Sequence, residues 1–186
     1  LILELAVMGK LVPQDSNDEP ASVLLQRIAK EKARLIKEGK IKKQKPLSAI
    51  NEDEKPFEVP LGWKWIRMGE VVDIVRGITF PAIEKSKFPE EGRVGCLRTT
   101  NVQDRIEWDD LLYIREKFVK RDDQFIQCSD IVMSMANSRE LVGKVAIVEE
   151  EPKFKTSFGG FLGVLRPRFL SPRFLMTLLR VPTNKN

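Results

Sequence analysis

The apolar residues of this chain change their spacing once, and that change limits the folds open to it. Up to Gly39 they recur at helical intervals. After Pro60 they come in short runs that alternate or cluster as strands do. Leu1, Ile2, Leu5, Ala6 and Met8 form a first helical stretch, closed by Gly9 and Pro13. DSNDEPASVLLQRIAKEKARLIKEGK follows, with Asp18 as the expected N-cap, Pro20 in the first turn and Gly39 as the stop. Ala21, Leu24, Ile28 and Leu35 share a stripe broken by the charged residues at 31 and 32. A helix with so narrow a seam is marginal alone in water, so Leu24, Ile28 and Leu35 are expected to pack on partner helices or on the 1–8 helix of the same chain.

KIKKQKPLSAINEDEKPFEVP then runs from lysines through acids to the last of three prolines, as a linker does. Beyond it WKWIRM, DIVRGITF, VGCLRTTNV, SDIVMSMA, GKVAIV and GGFLGVLRP read as strands, and LLYIREKFVKRD is a candidate for a short helix. SPRFLMTLLRV closes the pattern as a helix, with Ser171 as N-cap, Pro172 at the first position and an apolar face of Phe174, Leu175, Leu178 and Leu179. The expected architecture is a helical, coiled-coil-like segment over 1–45, a linker over 46–56, and an α+β domain with a mixed sheet over 57–182.

Composition excludes several classes of function. The chain has 186 residues, 42% apolar and 32% charged, which suits a globular protein and not a disordered one. Neither a signal-peptide pattern nor an apolar run of membrane-spanning length occurs, so a cytoplasmic location away from membranes is expected. The first residue is Leu1, inside an amphipathic pattern, which reads as part of a longer chain. There is no histidine, which removes the Ser-His and Cys-His arrangements of most hydrolases and transferases. Cys96 and Cys128 lie in apolar runs and read as small buried thiols in a reducing compartment, with no ligand set for zinc. The phosphate-cradling GxxxxGK[ST] pattern is absent, as are the glycine-rich cofactor loop and the proline–aromatic motif of nucleic-acid methylation. Asp130 with Glu151-Pro152-Lys153 spells part of a nuclease pattern, but proline disfavours the internal strand that chemistry needs.

The polar insertions between strands point elsewhere. Arg98, Thr99, Thr100, Asn101 and Gln103 end one strand. Asn137, Ser138, Arg139 and Lys144 separate two others. Lys153, Lys155, Thr156 and Ser157 precede a Gly-Gly pair. These residue types suit DNA: Arg or Lys to guanine, Asn or Gln to adenine, Ser, Thr and Lys to phosphate. Taken singly, each cluster reads more readily as an ordinary polar turn than as a DNA contact. The net charge of +5 gathers in the run from Lys30 to Lys45 and in the tail after Glu151, which fits a polyanionic partner or a solvated helix face.

LELAVMGKLVPQD, NDEPASVLLQRIAKEKARLIKEGKIKK and PFEVPLGWKWIRMGE resemble the DNA-specificity subunit of type I restriction–modification enzymes. The resemblance runs on through DIVRGITF, SDIVMSMANS, GKVAIV and SPRFLMTLLR, and so covers nearly the whole chain. It implies a spacer helix followed by one target-recognition domain seated on the major groove of double-stranded DNA, reading half of a split sequence. Partners implied are the methyltransferase subunits and, through the complex, the restriction and translocase subunit. Self-association with a second copy is left open, because such subunits carry two recognition domains and this chain has one. Neither catalytic groups nor cofactors are implied. On this reading Arg98, Asn101, Gln103, Asn137 and Arg139 are base-contact candidates, and Lys144, Lys153, Lys155 and Thr156 hold phosphates. Three alternatives remain: a protein-interaction scaffold without DNA reading, a metal-dependent nuclease, and the recognition portion of a fused restriction–methylation enzyme.

Overall fold

A computed structural model of the chain describes residues 2–39, 45–136 and 142–181. It divides into two compact units, Leu1–Val71 and Val72–Asn186. The division differs from the expected boundary at 57, because residues 57–71 pack within the first unit.

In the first unit α1 spans Ile2–Val7 and α2 spans Ala21–Lys37. Gly9 ends α1 with a φ of +68°, and the N–H groups of Gly9 and Lys10 return to the carbonyls of Ala6 (3.0 Å) and Leu5 (2.8 Å). That is the double bond of a Schellman stop, which favours glycine at this position. A second reason for glycine is proximity: a Cβ here would lie 2.6 Å from Cγ of Pro60.

The start of α2 differs from expectation. Asp18 does not cap it. Pro20 is the N-cap residue with no side-chain bond, and the first helical N–H, of Ala21, donates to the carbonyl of Gly62 (2.8 Å). A distant backbone carbonyl thus satisfies a donor that a cap side chain would otherwise take. Ile28 is 3% exposed, with Ala21, Leu24, Leu25, Lys32, Leu35 and Ile36 half-buried beside it, so the stripe is wider than the expected seam. Lys32, which interrupts that seam, sends its Nζ to the carbonyl of Gly69 (3.1 Å).

The segment 45–71 is not a bare linker, and WKWIRM forms no strand. Its polar side chains pin a loop: Arg67 donates to the carbonyls of Ser48 (3.1 Å) and Ala49 (2.8 Å) and to Glu54 (2.8 Å). The Trp65 indole donates to the Phe57 carbonyl (3.3 Å), with the two rings 4.9 Å apart, and the Trp63 indole to Gln14 (2.9 Å). Lys40, Lys42 and Lys43 of the basic run lie outside the described residues.

The second unit holds two sheets. Strands β1 (Val72–Arg76), β4 (Ile131–Ser134), β5 (Val145–Ile147) and β7 (Leu162–Pro167) form an antiparallel sheet in the order β1-β7-β4-β5. Strands β2 (Arg93–Leu97), β3 (Leu112–Arg115) and β6 (Thr156–Phe158) form a mixed one in the order β3-β2-β6, with β2 and β6 parallel. The fold is α+β, as expected. Leu112–Arg115 is a strand followed by a 3-10 turn where a short helix was a candidate, because it pairs with Arg93–Cys96.

The core joins the sheets through Val75, Leu97, Val132, Ala146, Phe158, Leu162 and Val164. At Gly77 the chain passes from β1 toward β6: Ile78 bridges Gly159, and a Cβ at Gly77 would stand 2.1 Å from the Gly159 carbonyl oxygen. Only glycine fits that crossing.

Helix α3 (Pro172–Arg180) starts as expected, with the Ser171 hydroxyl accepting from the Phe174 N–H. Its buried face carries Leu175 and Met176, whereas Phe174 is exposed. Cys96 is buried and Cys128 is exposed, so only the first fits the buried-thiol reading.

Candidate nucleic-acid interface

Strand directions sort the connecting loops of the second unit into two ends. β2 and β6 run parallel and finish together, and the Gly159 N–H donates to the Leu97 carbonyl (2.9 Å). Ser134, at the end of β4, pairs with Leu162 at the start of β7. β1 ends where β7 begins, with Arg76 opposite Gly163. One end therefore gathers residues 77–80, 98–107, 135–136, 142–144 and 159–161. The other gathers the segments after β3, before β4, after β5 and before β6.

Arg98, Asn101, Gln103 and Lys144 fall at the first end. The 3-10 turn Thr99–Asn101 follows β2 at once, and a small hairpin closes through the Val102–Ile106 bridge. Asn101 is the post of this loop. It is 2% exposed, its Oδ1 accepts the Arg98 N–H (2.8 Å), and its Nδ2 donates to the carbonyls of Glu107 and Asp110 (3.0 Å each). With donors and acceptor committed, it shapes the loop and offers nothing to a base edge. Arg98 donates to the Asp110 carbonyl (2.7 Å) and pairs with its carboxylate, while its Nε is buried without a partner.

Gln103 and Lys144, distant in sequence, meet in space. Lys144 Nζ donates to Gln103 Oε1 (2.7 Å), and Gln103 Nε2 to the Thr100 carbonyl (2.8 Å). Arg180 of α3 reaches the same loop through the Asp104 carbonyl (2.8 Å).

The phosphate candidates do not share this end, apart from Lys144. Lys155 precedes β6 at the opposite end, bound to Glu116 (2.9 Å) and lying 5.3 Å from the centre of the Phe125 ring. Glu116 raises its pKa by hydrogen bond and charge, opposed by desolvation. Lys153 is exposed nearby in sequence. Thr156 is 1% exposed and its hydroxyl donates to the Phe154 carbonyl (3.0 Å), so burial removes it as a surface phosphate ligand. Asn137 and Arg139 lie outside the described residues.

Two guanidinium groups at the first end escaped the sequence reading. Arg76 ends β1 and Arg105 occupies the tip of the 102–106 hairpin. Both are exposed, and neither side chain has a partner among the described residues. Arg76 sits in a run that reads only as a strand, and Arg105 among acids that read as an ordinary turn. The acids of this end, Asp104, Glu107, Asp109 and Asp110, share the loop with Arg105.

Comparison with known proteins gives a consistent result. The chain is 48% identical over 136 residues to the type I restriction enzyme EcoAI specificity subunit of Escherichia coli, covering 72% of this chain and 22% of that protein. It is 45% identical over 151 residues to the EcoEI specificity subunit of the same species, covering 80% of this chain and 25% of that protein. The chain thus spans about a quarter of the length of these relatives. No protein-family profile matches it. Among solved structures, the HsdS subunit from Thermoanaerobacter tengcongensis shares the fold with a TM-score of 0.51 at 20% identity, over 85% of this chain and 38% of that one. A chain from a structure of the type I R-M system, described for its complex assembly and conformational transition, gives a TM-score of 0.50 at 20% identity with the same coverage.

Proposed function

Since the chain belongs, over the stretch it spans, to the family of type I restriction enzyme specificity subunits, we propose that it reads one half of a split DNA target and directs its partners there. The kinship at nearly half identity carries this reading. The two exposed guanidinium groups at one end of the second unit, Arg76 and Arg105, which have no partner among the described residues, support it.

In this function the second unit is the target-recognition domain, and the helical segment 1–45 is the spacer and docking element for methyltransferase subunits. The restriction and translocase subunit joins through that complex. The chain itself is non-catalytic, and it works in the cytoplasm, where the DNA is; no described helix is long and apolar enough to cross a membrane. Arg98, Gln103, Arg76 and Arg105 are the base-contact groups, together with Asn137 and Arg139, which lie outside the described residues. Lys144 holds a phosphate beside them. Asn101 holds the loop in register, since accurate base contacts need rigid support. A correct bidentate contact discriminates by about 1–3 kcal/mol, so a few suffice for a half-site.

The test is selection of duplexes from a random library by the chain coexpressed with its methyltransferase subunit, followed by sequencing. A short fixed motif is expected. Binding without a motif would overturn sequence reading, and no binding at any salt concentration would leave a protein-docking module. Magnesium-dependent cleavage by this chain alone would overturn the non-catalytic role.

A further inference from the structure

The same end of the domain carries large apolar side chains that folding does not require. Phe161 is 66% exposed and Met135 54% exposed, and Val142, two residues before Lys144, is exposed as well. Single exposed apolar residues are ordinary, but a group rimmed by polar ones marks a contact surface.

Phe161 is also held unusually firmly for a loop residue. It lies in the tight turn from β6 to β7, closed by the Leu162 N–H on the Gly159 carbonyl (2.8 Å). The Phe161 carbonyl accepts from both the Met135 N–H (2.8 Å) and the Ala136 N–H (3.3 Å). On the other flank Gly159 bridges Ile78, and Gly160 packs so close that an added Cβ would lie 3.2 Å from the Thr79 methyl. Three neighbouring segments therefore fix a turn whose aromatic side chain faces solvent. Gln103 with Lys144, and Arg76 at the end of β1, flank it at the same end.

We propose that Phe161, with the neighbouring exposed Met135, is a specificity-determining residue that makes apolar contact with the 5-methyl group of a thymine in the half-site. The proposal rests on the DNA-reading function above and deepens it. Thymine is the base whose major-groove edge presents a methyl group, and an aromatic side chain is among the contacts that recognise it. Gln103 or an arginine cannot read that methyl group, so an exposed apolar residue among polar ones has a distinct task.

The test uses the full chain assembled with its methyltransferase subunits and duplexes bearing the selected motif. Each thymine is replaced in turn by uracil, which removes only the methyl group. At one position the uracil duplex should bind about fourfold more weakly, the fold-change of one buried methyl group at ~0.8 kcal/mol. Phe161→Ala should bind the thymine and uracil duplexes alike there while keeping preference at the remaining positions, and Met135→Ala should narrow the difference. Phe161 is mostly exposed, and a thermal unfolding curve for the variant matching the parent's checks that the fold is intact. Indifference of the parent complex to every uracil overturns the proposal while leaving DNA reading standing. So does methyl sensitivity that survives in Phe161→Ala. Loss of subunit assembly with DNA preference intact would make Phe161 a protein contact. A parent complex with no sequence preference would fail the DNA-reading function itself.

Discussion

Asp130 is buried to 1% exposure, and three donors converge on its carboxylate. Arg166 binds both its oxygens (2.7 and 2.8 Å) and the Gln127 N–H supplies a third bond (2.9 Å). Asp130→Ala leaves the Arg166 guanidinium half-buried without its counter-charge. The expected cost is about 3–5 kcal/mol in chemical denaturation, because breaking a buried pair from one side strands the other charge. Glu84 gives a pH test. Hydrogen bonds from Arg115 hold its carboxyl below the usual carboxylate range, against the opposing effect of burial. A lowered folded-state pKa means stability present above the unfolded value of ~4.3 and lost as pH falls through the folded one. Parent and Glu84→Gln should therefore differ most at neutral pH and converge as pH falls through the lowered folded-state pKa. Equal pH dependence of the two melting temperatures would refute the pairing. The acid at 84 was invisible to sequence reading because its partner lies 31 residues away, on β3.

Helix α2 shows how far local pattern reaches. The stripe through Leu24, Ile28 and Leu35 and the stop at Gly39 were legible, since both depend on residues within a turn or two. The start was not. Asp18 has the chemistry of a cap, yet the carbonyl that meets the Ala21 N–H comes from Gly62, across the unit. Ile28 is buried by its own unit, so Ile28→Asp is expected to cost helicity in far-UV circular dichroism. In the proposed docking role the half-buried Leu24 and Leu35 would meet the partner helices, and their polar replacement should weaken methyltransferase binding with the fold retained. Retained helicity in Ile28→Asp would show that this residue waits for a partner instead. WKWIRM marks the same limit: alternation alone did not make a strand, because the Trp65 indole and the Arg67 guanidinium are tied to loop carbonyls and the Trp63 indole to the Gln14 side chain.

At the scale of the molecule the two ends of the recognition unit make opposite predictions for chemically similar lysines. Lys144 stands with Gln103 at the end bearing Arg76 and Arg105. Lys155 stands at the other, paired with Glu116. Lys144→Ala should lower the slope of log affinity against log salt by about one, as loss of one phosphate contact does. Lys155→Ala should leave both affinity and slope near the parent values. The sequence reading expected Lys155 to weaken all DNA alike, and a slope that falls in Lys155→Ala would restore it. The two lysines look equivalent in sequence, since each belongs to a polar insertion beside a strand-like run.

The order of elements, most strand positions, the Gly9 and Gly39 stops, the Ser171 cap and the kinship with specificity subunits were determined by the sequence alone. Each depends on neighbours a few residues apart, or on motifs intact in the chain. Which polar side chains remain free was decided only by tertiary structure. Asn101 and Thr156 have the right chemistry for DNA, but packing buries them and spends their hydrogen bonds inside the domain. Arg76, Arg105 and Phe161 have ordinary surroundings in the sequence, but strand direction brings them to one end, exposed. The parallel pairing of β2 with β6 sets that end, and it joins residues some sixty positions apart. No local period encodes such a pairing; it follows from the shared core that the two sheets bury between them.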